Sequence, residues 1–216
     1  MTKSITIIAI LLFFAINAFS QDDTEMWVKI SPEITFRFEK SPIEIRWRPD
    51  DHIFLPEKYA GKNNFGRTDI MLGVNIGKFK VFNYSKFDEF GRIWTGARLD
   101  FNTRALNKKL LINLQTRYFF GVNDKSKNHY YLVQYPRYMV TKNLHLGVLS
   151  YGKWDPLKDF DQGNWFIGPS VQYMLPKGFS AHVAVAKDIF HEPVWMTFIR
   201  IAYKIKFKSK KEKETE

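Results

Sequence analysis

The chain closes on 194-VWMTFIRIAYKIKFKSKKEKETE-216, and one periodicity decides how it reads. Trp195, Thr197, Ile199, Ile201, Tyr203, Ile205 and Phe207 share one parity; Arg200, Ala202, Lys204 and Lys206 share the other. A side-chain period of two is a strand with one apolar and one polar face. Thirteen residues from Trp195 to Phe207 exceed the ~5–6 of a soluble strand. The run stops at an aromatic and gives way to the charged tail SKKEKETE.

The same alternation fills the rest of the chain. Val28, Ile30, Ile34, Phe36 and Phe38 alternate with Lys29, Ser31, Glu33, Thr35, Arg37 and Glu39. Ile43, Ile45 and Trp47 alternate with Glu44, Arg46 and Arg48. Further runs follow around Ile70–Ile76, Ile93–Phe101, Leu110–Phe120, Leu144–Val148, Trp165–Leu175 and Phe179–Val185. No apolar period of 3.6 residues is present after residue 21. Tight connections (IGKF, TKN, LPKG) alternate with long polar ones (PDDHIFLPEKYAGKNNFGR, GVNDKSKNHY, KWDPLKDFDQG). Short turns on one side and long loops on the other predict an all-β, up-and-down antiparallel transmembrane barrel of about 10–12 strands. Eleven runs are clear. A barrel with both ends on one side needs an even number, which HIFLPEKY would supply as a twelfth strand. Counting the run through KSP once gives ten instead.

Residues 1–20, MTKSITIIAILLFFAINAFS, read as a secretory signal peptide. Lys3 supplies the positive start, Ile5 to Ile16 the apolar core, and Ala18 and Ser20 the small residues before a cut at Gln21. The apolar run is shorter than the ~20 residues of a spanning helix. The expected division is therefore signal peptide 1–20, barrel 21–207 and charged tail 208–216. Among the 216 residues are no cysteines, which removes disulfides and thiolate metal sites. The net charge of +11 falls to 11 − 1 = +10 once Lys3 is removed, since no acid is lost with it. Export and alternation argue against a nucleic-acid partner, and His52, His129, His145, His182 and His191 have no metal-ligand spacing.

The polar parity carries Lys29, Arg37, Arg46, Arg48, Arg92, Arg98, Arg117, Arg200 and Lys204 beside Gly and Ala, a poor filling for a soluble core. The apolar parity is continuous and often ends in an aromatic: Trp47, Phe101, Tyr118, Phe120, Trp154, Trp165, Tyr173, Trp195, Tyr203 and Phe207. Aromatics at strand ends fit belts at two water–lipid boundaries, and β structure in lipid must close on itself. Over residues 26–207 the chain thus resembles bacterial outer-membrane β-barrels as a class. The resemblance implies export by the general secretory route to the outer membrane of a Gram-negative cell. It also implies lipid around the barrel, and assembly machinery that reads the closing strand at Phe207.

With the polar parity inward, Arg37, Arg46, Arg48, Arg92, Arg98, Arg117 and Arg200 become the candidate ligand-binding residues. A lumen rich in Lys and Arg concentrates anions, and predicts a narrow porin-like passive channel for small anionic solutes. The same residues, ion-paired across neighbouring strands, would instead plug the lumen and leave a structural or surface-interaction barrel without transport. A third reading is a lipid hydrolase: Ser180 and His182 sit at i and i+2 on one strand face, a hydroxyl next to an imidazole. That pair faces the lumen rather than lipid and has no evident acid, so no catalytic residue is assigned. Neither a cofactor nor a metal is expected.

Overall fold

The computed structural model describes residues 24–38, 41–55, 65–155, 163–191 and 195–208. The signal segment, most of the tail and Glu39 lie outside them. Twelve strands form: β1 (Thr24–Arg37), β2 (Ile43–Leu55), β3 (Phe65–Ile76), β4 (Phe79–Asp88), β5 (Ile93–Ala105) and β6 (Leu110–Gly121). They continue as β7 (His129–Gln134), β8 (Arg137–Met139), β9 (Leu144–Trp154), β10 (Asn164–Met174), β11 (Phe179–Asp188) and β12 (Trp195–Lys208).

β7 and β8 lie end to end between β6 and β9 and are one strand interrupted at Tyr135–Pro136. Proline brings no amide hydrogen to the ladder. The chain nevertheless stays in register there, because Val148 N donates to Pro136 O at 3.1 Å. The barrel therefore has eleven staves, closed by β12 against β1. Stretch 52–55 of HIFLPEKY continues β2 through Pro49 rather than forming a stave of its own, and the runs flanking KSP are two strands.

An odd number of staves has one geometric consequence. Ten junctions are antiparallel, and the closing one must be parallel: Thr24 lies beside Trp195 and Arg37 beside Lys208. The sequence-based expectation of an even number, with both ends on one side, is corrected by that pairing. Thr24 lies at the end of the connections after β2, β4, β6, β9 and β11, all longer than the turns opposite except the short one at 89–92, whereas Lys208 lies at the end of the short turns. The tightest of these turns, between β3 and β4, passes through Gly77 at φ 58°, a left-handed conformation that glycine adopts without strain.

The barrel is inside out relative to a soluble one. Ile201 is 48% exposed and Leu72 55%, while Arg48 retains 4% and Arg98 3%. Outward aromatics gather at the two ends of the strands. At the short-turn end Phe36 stacks on Phe207 (5.2 Å), Phe179 on Tyr203 (4.2 Å) and Phe79 against Phe101 (5.0 Å). At the long-loop end Trp154 stacks on Trp165 (6.2 Å, 9°) and meets Tyr130 (4.4 Å), with Tyr118 against Phe120 (4.5 Å). Aliphatic side chains fill the band between these belts, and Trp47 stands within that band.

Inward glycines set the curvature. A Cβ on Gly96 would sit 1.9 Å from Tyr118 O, and one on Gly168 1.9 Å from Val185 O. Neighbouring strands bend across these positions more closely than any side chain allows.

Candidate functional site

The inner face of the barrel holds the charged chemistry of the chain, and period-two pleating puts it there. Along β2, Glu44, Arg46, Arg48, Asp50 and His52 all point inward and are all buried. β3 contributes Arg67, Asp69 and Met71, β4 contributes Lys80, Phe82, Tyr84 and Lys86, and β5 contributes Trp94, Arg98 and Asp100.

Two ion networks fill the β1–β5 side. In the first, Asp50 and Asp69 are shared among three cations. Lys29 Nζ lies 2.7 Å from Asp50, Arg67 reaches Asp50 (2.9 Å) and Asp69 (2.8 Å), and Arg48 bridges both acids, with Nε 3.1 Å from each. Ser31 Oγ donates to Asp50 at 2.6 Å, and Arg48 donates to Tyr84 Oη at 2.6 Å. The second network centres on Glu44, held by Arg46, Arg37 (2.7 Å) and Lys80 (3.2 Å). Arg98 grips Asp100 with two bonds of 2.6 Å, and Arg46 lies 4.5 Å above the Phe82 ring. Glu33 pairs with Lys204. A buried charge is tolerable only when paired and hydrogen-bonded, and these networks meet that condition.

The β6–β12 side is different. Among the described residues, Arg117, Arg137 and Arg200 make no carboxylate ion pair, and neither does Lys86, which reaches toward this side from β4. Arg117 donates to Gln115 and Arg137 to Gln172. Lys86 lies 2.6 Å from His129 Nε2 and 3.5 Å from the centre of the Phe119 ring, with Trp94 and Tyr131 around it.

Toward the long loops the lumen turns apolar. Leu149, Phe166, Ala184, Ala186, Met196 and Phe198 form one inward cluster, joined by Trp27, Val133 and Tyr151. Met71, Phe82, Tyr84, Trp94 and Phe119 form another that extends among the charges, Met71 lying opposite Arg46 and Phe82 opposite Arg98. The expectation of a uniformly polar inner face is thus corrected: apolar side chains fill the loop end and also stand among the charges of the middle. Charge in the middle and aromatics above leave the central arginines almost inaccessible to water.

Of the seven arginines singled out in the sequence, Arg46, Arg48 and Arg98 are buried and paired, and Arg37 pairs with Glu44 from a half-exposed position. Arg92 lies in the β4–β5 connection at the mouth, bound to Asp88 at 2.6 Å, and does not join the central network. Arg117 and Arg200 are inside without a carboxylate. Ser180 and His182 face the lumen as expected, but His182 Nε2 has no hydrogen-bond partner and its ring packs against Tyr135 at 4.5 Å and Phe198 at 5.6 Å. Asp50, Arg67, Asp69, Lys86 and Arg137 escape the sequence reading. Parity would have found the first three, because Asp50 continues the even-numbered polar face of β2, and Arg67 and Asp69 the odd-numbered face of β3.

Comparison with protein families, with curated proteins and with solved structures finds no match to this chain.

Proposed function

We propose that this chain is an outer-membrane β-barrel of the filled kind, exported through the segment at residues 1–20. On this reading its work is done by the connections at its mouth rather than by solute flow through its axis. The observation that carries this reading is the inversion of the barrel. Exposed aliphatics between two aromatic belts suit hydrocarbon, and an apolar band this continuous is not kept facing water. Strands of 10–14 residues suit a tilted crossing of a bilayer. Burial of Arg46, Arg48 and Arg98 to 5%, 4% and 3% exposure favours occlusion over an open, water-filled pore.

The channel for small anionic solutes keeps one support, the surplus of cations on the β6–β12 side. Planar-bilayer recording decides between the two. The filled barrel gives no steady open level at moderate voltage, and Arg98→Ser does not create an anion-selective one. A stable, anion-selective conductance in the native chain, lost on making Arg46 and Arg98 serine, would establish the channel instead. Hydrolysis of lipid in detergent, abolished by Ser180→Ala, would establish the enzyme.

A further inference from the structure

One wall of the lumen gathers hydrogen-bond donors, several of which have no acceptor, although Arg137 donates through its Nη1 to Gln172. Across β12, β11, β10 and β9, Arg200 lies opposite His182, His182 opposite Gln172, and Gln172 opposite His145. The adjacent row brings in Ser170, Tyr135 and Arg137. Arg137 sits 4.4 Å above the Tyr135 ring, and that ring lies 4.5 Å from His182. Tyr135 Oη faces Ser170 and Arg137.

Yet Arg200 Nε, Arg137 Nε, His182 Nε2, Ser170 Oγ and Tyr135 Oη make no hydrogen bond of normal geometry. Ser170 is 4% exposed, His182 7% and Tyr135 9%, so bulk water does not satisfy them. Neither arginine has a carboxylate within ion-pair distance among the described residues. Across the sheet Ser170 is flanked by Gly147 and Ala184.

Buried donors and cations require acceptors and counter-charge. The convergence of two guanidinium groups, a phenol, a hydroxyl and an imidazole matches the oxygens of a carboxylate, sulfate or phosphate. We propose that this wall is a binding site for a small oxyanion, gripped by Arg137 and Arg200, with Tyr135, Ser170 and His182 donating to its remaining oxygens. The β1–β5 side cannot serve, since its arginines are occupied by Glu44, Asp50, Asp69 and Asp100. The site concerns the lumen alone and stands whether or not the barrel conducts.

The test uses the full chain folded in detergent micelles. Its thermal midpoint is followed against sodium phosphate, sulfate and acetate, each beside sodium chloride at matched ionic strength, with heats of binding measured directly. The expected result is a saturable rise in midpoint with at least one oxyanion and none with chloride. Arg200→Gln and Arg137→Gln each weaken the apparent affinity roughly tenfold, as loss of a charged hydrogen bond does. Arg92→Gln at the mouth leaves it unchanged. Should the arginine variants fail to fold, Ser170→Ala and Tyr135→Phe serve in their place, with an expected loss of about threefold. Oxyanion curves that superimpose on chloride in the native chain overturn the proposal, as does an unchanged response in the folded variants.

Discussion

Ile30 of β1 and Ile201 of β12 lie side by side on strands that run in the same direction. That pairing closes the barrel and separates its chain ends. Position 24 is at the long-loop mouth and position 208 at the short-turn rim. In an outer membrane the two fall on opposite faces. With no native cysteine to interfere, a single cysteine placed next to either position reports this directly. A membrane-impermeant maleimide on intact cells should label one site at once and the other only after permeabilisation. Equal labelling of both would mean that the closing pair is not parallel.

Arg48 is the busiest cation of the lumen, touching Asp50, Asp69 and Tyr84. Replacing it with glutamine leaves two acids sharing Lys29 and Arg67 in a site closed to water. Breaking a buried pair this way costs about 3–5 kcal/mol. Arg92→Gln removes a partly exposed pair with Asp88 and should cost about 0–1 kcal/mol. Urea unfolding in micelles or liposomes measures the difference, and similar values for the two variants would contradict the buried network.

Gly168 and Gly66 make a matched pair of substitutions. Alanine at Gly168 drives a methyl against Val185 O and the Ala186 backbone, atoms fixed by the ladder. Alanine at Gly66 meets only the Asp51 carboxylate at 3.6 Å and the Glu89 side chain at 3.8 Å. Gly168→Ala should fail to give the compact, heat-modifiable band that folded barrels show on cold gels, and Gly66→Ala should give it at the native yield.

Alternation made the barrel legible, because a greasy outside and a charged inside leave their period in every strand. Both the strand class and the inward placement of Arg46, Arg48, Arg98, Arg117 and Arg200 follow from that parity. Three things did not follow. Eleven runs were visible, but the rule of even staves argued for twelve, and no local signal marks a parallel closure between strands whose paired residues are 195 − 24 = 171 positions apart. Asp50 and Arg67 stood in what read as a polar loop beginning at Pro49, where the strand in fact continues, and Asp69 stood between that loop and the run that starts at Ile70. Phe119, Phe166 and Phe198 share the polar parity, so only the closed barrel shows that apolar side chains fill its loop end. Pro136 likewise hid Arg137 by splitting its strand into pieces of six and three residues.

The outward face offers a test of the surrounding medium. Ile70 lies mid-strand in β3 and is 46% exposed; Ile76 ends the same strand and is 62% exposed. In water an arginine at either exposed position would cost little. In a bilayer the cost depends on depth, about 2–4 kcal/mol at the midplane and about 0–1 kcal/mol near the interface. Ile70→Arg should therefore destabilise the barrel in liposomes far more than Ile76→Arg does, and the gap should shrink in short-chain detergent, where the apolar layer is thin and yielding. Equal, small effects in liposomes would place Ile70 outside hydrocarbon and remove the basis for an outer-membrane location.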